Sequence, residues 1–247
     1  MKGLLAVVIL DLKRLWVDRI RLISSLIQPL LYLFVLGSGL GASSTLGRTG
    51  YLHYIYPGVL ALSLLFSAVF AAMLIVFDRQ VGFLKAILVA PVSRVAIALG
   101  KVVSGAIQAL VPATILLALL PLLHLSLSVG AFFQLLATMI LASLTFSALG
   151  VATAARFRST TVFPIIGNAV LLPMFFLSGA LFPLQNAPIW LRWLAHADPV
   201  AYAADLMRGA ILDRYVYPPW LSLAVLIGFI VILTWMATRV FAAGEDA

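Results

Sequence analysis

GSGLG at 37–41, Gly100–Lys101, Ser178–Gly179 and the histidines at 53, 124 and 196 are the places where this sequence could hold chemistry. Gly37, Gly39 and Gly41 close an apolar run, follow no strand and lack the acidic partner of a dinucleotide fingerprint. They fit close helix packing or a loosened helix end. A phosphate loop needs G-x-x-x-x-G-K-[ST]; here Gly100–Lys101 is followed by Val102, and position 95 is Val. The chain therefore has no phosphate loop of its own. Ser178 would need a base within hydrogen-bond reach to act as a nucleophile. The histidines fall in connections between apolar runs, and their scatter lacks metal-ligand spacing. An intramembrane serine protease is kept as an alternative from another class, as is a membrane scaffold without transport.

Polar groups also sit inside the apolar runs: Gln28, Gln108, Asn168 and many Ser and Thr, but no carboxylate. Ion-coupled carriers rely on intramembrane ionisable residues or unwound ion sites. Their absence from the runs points to energy supplied from outside the chain. Gln108 and Asn168 are either helix–helix glue or part of a substrate pathway.

These residues must be positioned by membrane helices. Of 247 residues, 64% are hydrophobic and 10% charged, against about 45–50% and about 25% in soluble domains. Apolar segments long enough to span a bilayer run over Leu22–Leu40, Pro57–Phe77, Val102–Leu120, Val129–Ala155, Thr161–Phe182 and Trp220–Thr238. The expected fold is an all-α integral membrane protein of six transmembrane helices in one domain, 1–247. An interfacial helix covers 1–21, the six-span core 22–240 and a tail 241–247. The net charge of +8 fits basic anchors at one membrane face rather than nucleic-acid binding. Twelve Lys and Arg fall on the side holding both termini and four on the other. Both termini are thus expected in the cytoplasm. The absence of cysteine removes disulfides and thiol chemistry.

The connections carry further expectations. In 1–21, Leu4, Leu5, Val8, Leu12, Leu15 and Trp16 recur at helical spacing, with Asp11, Lys13, Arg14 and Asp18 on other faces. This predicts an amphipathic helix in the membrane interface; the alternative is a solvated basic leader. No small-residue cleavage site follows, so a cleaved signal is not expected. Tyr51, Tyr54 and Tyr56 suit an outer aromatic belt, with Pro57 in the first turn of the second span. Ser143, Ser147, Gly150 and Ala154 make a small-residue face for close packing, within the chain or between subunits. Pro164 and Pro173 predict a kinked fifth span. Pro183–Pro219 predicts two short helices, the first dipping into the outer membrane surface. Asp198 is placed as N-cap, Pro199 at the first position, Gly209 as stop and Asp205–Arg208 as an i,i+3 pair.

DRQVGFLKAILVAPVSR, Asp78 to Arg94, lies between the second and third spans on the basic side. As a helix it joins Leu84, Ile87 and Leu88 on one face with Phe83 at its edge. Pro91 stops it and Ser93 caps the next helix. The apolar face fits lipid headgroups or a groove on a soluble partner.

This segment with Gly100–Lys101 resembles the cytoplasmic element of ABC-2-type exporter permeases, E-R-E-x-G-x-L-E/K-x-L-x-x-P-x-S. FLSGALFPL at 176–184, then Pro188–Leu191 and DPVAYAADLMR at 198–208, resemble the same family's S-G-x-x-F-P…P-x-W…P-x-x-Y-x-x-D-x-x-R signature. The likeness covers nearly the whole chain and is nearest to daunorubicin-resistance-type and nodulation-type permeases. Asp78 and Gln80 replace the family's two Glu, which alters any contact those acids make. The resemblance implies a permease dimer, of one chain or two homologues, with two separate cytoplasmic ABC ATPase subunits. ATP and Mg would be held by those partners; this chain would bind no cofactor and be no enzyme. Asp78, Arg79, Gly82, Phe83, Leu84 and Pro91 would couple to the ATPase. Ser178, Gly179, Phe182, Pro183, Asp198, Pro199, Tyr202, Asp205 and Arg208 would form an outer gate on a re-entrant hairpin. The implied cargo is a hydrophobic drug, lipid or lipid-linked glycan leaving across a bacterial or archaeal inner membrane. A polysaccharide or heme exporter subunit is the alternative of the same architecture.

Overall fold

The computed structural model describes residues 2–39, 47–82, 93–125, 127–157 and 159–243. Those residues form α1 (Lys2–Val17), α2 (Arg19–Leu31), a π-helical turn (Tyr32–Leu36), α3 (Gly47–Ala71), α4 (Met73–Gln80), α5 (Arg94–Leu117), α6 (Val129–Arg156), α7 (Val162–Leu177), α8 (Ile189–His196), α9 (Pro199–Leu212) and α10 (Pro219–Ala243). No strand occurs among the described residues.

Five helical stretches are long and apolar enough to cross a membrane: Ile20–Gly39, Gly50–Gln80, Val95–Leu117, Val129–Arg156 and Pro219–Val240. The expected fifth span differs. α7 has 16 residues, about 24 Å at 1.5 Å per residue, short of a hydrocarbon core of about 30 Å. It ends at Ser178, and Gly179 turns the chain with φ +74°. Pro173 lies inside α7, while Pro164 lies in its first turn.

α3 is the centre of the bundle. It packs on α5 and α6 along its length and on α9 at one end; Leu60, Leu62, Leu64 and Leu65 are wholly buried. α4 continues α3 past a break at Ala72, where Ala72 N–H bonds Val69 O and Ile75 N–H bonds Ala72 O. The joined run of 31 residues reaches about 46 Å, beyond any hydrocarbon core, so Asp78–Gln80 emerge at its end. The small-residue face of α6 is used within this chain. A Cβ on Gly150 would lie 2.8 Å from Val69 Cα on α3. Ser147 donates to Val102 O on α5 at 2.7 Å, against Gly105.

Two placements correct the sequence reading. Pro57 is well inside α3, because the helix begins at Gly47 and carries all three tyrosines. These turn into the protein rather than forming a belt: Tyr51 Oη donates to Leu181 O, Tyr54 Oη to Gly179 O and Tyr56 Oη to Leu116 O. The partner carbonyls belong to turns and a helix end, and each buried phenol finds an acceptor there.

The two short helices expected in Pro183–Pro219 are α8 and α9. α8 exposes Trp190 and Trp193. α9 is instead buried from Pro199 to Ile211, between α3, α6 and α10. Gly209 is not its stop. The helix runs on to Leu212 and ends on Asp213, left-handed at φ 54°. Gly209 is where the Tyr215 ring lies against the helix, leaving no room for a Cβ.

Candidate functional site

Two polar assemblies hold opposite ends of the bundle. The first is at the end where α4 stops. Asp78 and Lys101 are 1% and 4% exposed, and Asp11 of α1 is 1% exposed. Lys101 Nζ donates to Asp11 Oδ1 at 2.9 Å and Asp78 Oδ2 at 3.2 Å. Arg14 Nη1 donates to Asp78 Oδ1 at 2.8 Å, and Ser104 Oγ to Asp11 Oδ2 at 2.8 Å. Every carboxylate oxygen has a donor, and two anions face two cations. That balance makes burial tolerable. The cluster ties α1, α4 and α5 into one unit.

Its neighbour Arg79 reaches α6. Nη1 donates to Phe157 O at 3.0 Å and Nη2 to Ala155 O at 3.1 Å. A guanidinium on the last carbonyls of a helix satisfies orphan acceptors and the helix dipole together. Thr160 Oγ1 donates to Gln80 Oε1 at 2.9 Å. Of the expected coupling residues, Asp78 and Arg79 thus act inside the chain. Gly82 is exposed, at φ +75°, with open space around its Cα. Phe83, Leu84 and Pro91 lie outside the described residues, as do Ile87 and Leu88. Ser93 caps α5 by accepting from Ala96 N–H at 3.3 Å.

The cluster was not legible in the reading of 1–21, which set Asp11 and Arg14 apart from the apolar face. A signal was present. Asp11 is four residues from Val7, three from Val8 and four from Leu15, all buried, so it shares their helical face. An acid in an apolar stripe requires a buried partner.

The second assembly joins the Ser178–Pro183 turn to α9. Gly179 O accepts from Tyr54 Oη at 3.1 Å and Arg208 Nη2 at 3.2 Å. The Arg208 guanidinium lies 4.3 Å from the Tyr54 ring centre, a cation–π arrangement. Asp205 accepts from Val216 N–H at 2.7 Å and Tyr217 N–H at 3.1 Å, with Arg208 Nη1 at 4.0 Å. Burial pushes the Asp205 carboxyl up from its ordinary value, against those three partners. Tyr202 Oη donates to His196 O at 2.9 Å and its ring packs 4.8 Å from Tyr217. Pro199 opens α9 and Pro183 opens the 3₁₀ turn at Leu184–Asn186; Phe182 is half-buried. Of the expected outer-gate residues, Gly179 and Arg208 meet at this turn and Asp205 lies next to Arg208, whereas Asp198, Pro199 and Tyr202 sit at the start of α9 with other partners. Ser178 is structural in form: its hydroxyl donates to Phe175 O at 2.7 Å and accepts from Ala180 N–H at 3.2 Å. No acid–base group is among these partners of Ser178.

Asp198 caps α9 as expected, accepting from Val200 N–H at 2.9 Å. Its second oxygen is buried without a partner among the described residues. Burial pushes this carboxyl up to about 7, against the lowering effect of the Val200 N–H. A raised folded value means the native state holds the proton more tightly than the unfolded chain. The stabilisation is then complete below the ordinary value near 4 and is lost as pH rises through about 7. Asp198→Asn keeps the cap and removes the titration. We expect the melting temperature of the parent protein to fall between about pH 5 and 8, on the order of 2 kcal/mol of stability, while the variant stays level.

Gln108 and Asn168 are not brought together. Gln108, 4% exposed, lines a cavity between α2, α3 and α5, whereas Asn168 is exposed on α7.

The family model described as ABC-2 type transporter matches residues 3–212. Nodulation protein J of Rhizobium leguminosarum bv. viciae is 29% identical over 219 residues, covering 85% of this chain and 82% of that protein. Nodulation protein J of Neorhizobium galegae is 28% identical over 214 residues, covering 85% and 81%. The matched region contains nearly all of α1, the charge cluster of Asp11, Asp78 and Lys101, and the whole of α9, and it ends before Val216 and Tyr217. The chain belongs to the ABC-2 type transporter family.

Proposed function

We propose that this chain is the membrane permease subunit of an ATP-driven exporter, working as a pair with two separate ABC ATPases that hold ATP and Mg. The basic end, with Asp78, Lys101 and both termini, lies in the cytoplasm; α7 completes a sixth crossing together with the turn at Ser178–Pro183. The segment 78–94 docks on the ATPase through Gly82, Phe83 and Leu84. The cargo is a hydrophobic drug, lipid or lipid-linked glycan.

The observation that carries this reading is the linkage at the base. A push on the end of α4 is transmitted through Asp78 to Lys101 and Arg14, and through Arg79 to the end of α6. Four elements then move with the docking segment, which is what a separate motor needs. The Gly179–Arg208 knot at the opposite end supports a gate, since a few polar contacts hold a buried helix there.

Co-expression with the ATPase tests the docking. Phe83→Asp places a charge on the docking face outside the described core. We expect co-purified ATPase to fall about tenfold or more, with membrane insertion of the permease unchanged, since burying an unpaired charge costs several kcal/mol. Full retention of the ATPase by Phe83→Asp would overturn the proposed contact.

A further inference from the structure

A cavity of about 260 Å³ opens between the start of α2, the middle of α3 and α5. Its wall is divided by chemistry. Arg21, Ser24, Gln28 and Gln108 supply polar groups, while Leu62, Phe66 and Phe70 of α3 supply an apolar side. None of the polar contacts of the base cluster or of the Gly179–Arg208 assembly uses it.

Three observations define what it would hold. First, the polar groups are ordered by depth. Arg21 is two helical turns, about 10 Å, before Gln28 on α2, and Lys101 of the buried charge cluster is the same distance before Gln108 on α5. The cavity therefore runs from the charged layer into the apolar layer. Second, Gln108 Oε1 is buried with no hydrogen-bond partner among the described residues, in a side chain 4% exposed. Leaving that oxygen buried and unpaired is unfavourable, and a ligand carrying a complementary group would relieve it. An amide offers an acceptor or, flipped, a donor. Third, the Arg21 guanidinium makes no ion pair among the described residues, and Asp18 accepts only from the Arg21 backbone N–H, at 3.1 Å. A second depression, lined by Ser24, Ile27, Gln28, Leu31, Tyr32, Val35 and Leu36, continues along α2 and shares Ser24 and Gln28. It leads past Pro29 to the π-helical turn.

We propose that this cavity binds one anionic amphiphile, with its anionic headgroup on Arg21, its ester, hydroxyl or amide linkage on Gln28 and Gln108, and its chain along Leu62, Phe66 and Phe70. The order cation, neutral amides, apolar wall matches the order of groups in an acidic lipid. A zwitterionic lipid would bring a second positive charge to Arg21. A free phosphate would leave the apolar wall and Gln108 unfilled. The amphiphile is either a resident membrane lipid or acidic acylated cargo, which share this chemistry.

The test uses the full chain in phosphatidylcholine bilayers holding a trace of phosphatidylglycerol with a photoactivatable acyl chain. Matched phosphatidylcholine carrying the same group is the comparison. We expect phosphatidylglycerol to label the 62–70 stretch of α3 several-fold more than phosphatidylcholine does. Arg21→Gln should abolish that preference and Arg21→Lys should retain it. Gln108→Leu should lower labelling by roughly three- to tenfold, the loss of one buried hydrogen bond, while Arg239→Gln on α10 leaves it unchanged. Equal labelling by both probes would overturn the proposal, as would labelling indifferent to both Arg21→Gln and Gln108→Leu. Neither nucleotide nor ATPase is present, so this result is separate from that of the exporter reading. Adding both then distinguishes the source: labelling of a resident lipid persists during ATP turnover, and labelling of cargo falls.

Discussion

Lys101→Met is expected to lower stability by about 3–5 kcal/mol, the range for removing one partner of a buried ion pair. Lys101 stands between Asp11 and Asp78, and both carboxylates are buried. Without it, Asp78 keeps Arg14 but Asp11 keeps only the Ser104 hydroxyl. A buried anion with one neutral donor is the costliest outcome at this site. Thermal unfolding of the purified chain in detergent measures the loss. The double variant Asp11→Asn, Lys101→Met removes the stranded anion with its cation and leaves the Asp78–Arg14 pair. It should recover about 1–3 kcal/mol of what the single variant loses, the coupling expected between contacting groups. If Lys101→Met melts like the parent protein, the cluster does not hold α1 to α4 and α5.

Gly179→Val should disrupt the opposite end by a different route. At φ +74° a β-branched residue is strained by about 1–3 kcal/mol. A Cβ there would also overlap the Leu184 side chain, which costs about 1–3 kcal/mol more where the core does not yield. Any shift of the Gly179 carbonyl breaks the bonds from Tyr54 and Arg208 at once. Limited proteolysis in the 183–198 connection, beside thermal unfolding, should show a loosened hairpin. Leu184→Ala in the same chain removes the overlap but not the backbone strain, so it should restore only part of the loss. Full restoration would mean that the left-handed turn contributes nothing.

The helical membrane architecture was legible because apolar runs of bilayer length leave few other folds. The caps at Ser93 and Asp198 were legible for a local reason: side-chain oxygens before a helix satisfy N–H groups two or three residues on. What failed was anything decided by distant partners. Tyr51, Tyr54 and Tyr56 fit an aromatic belt by type, yet carbonyls as far away as Leu181 draw them inward. Gly209 looked like a stop and is a seat for Tyr215. α7 falls short of a full span because the chain turns at Gly179, a left-handed glycine whose carbonyl accepts from Arg208 of another element. The resemblance to a family signature named the outer residues; of these, Gly179 and Arg208 are joined through the Gly179 carbonyl, a contact between distant elements. The base cluster joins residues 11, 14, 78, 101 and 104, which no local pattern connects.

The central claim is that a separate ATPase grips the segment between α4 and α5. The chain contains no cysteine, so Lys85→Cys creates a single labelling site in that segment. Reaction with a membrane-impermeant maleimide is measured in sealed inside-out and right-side-out vesicles, with and without the co-expressed ATPase. The account predicts labelling only in inside-out vesicles, and protection when the ATPase is bound. Labelling from the external side, or labelling from the cytoplasmic side that the ATPase leaves unchanged, would contradict it.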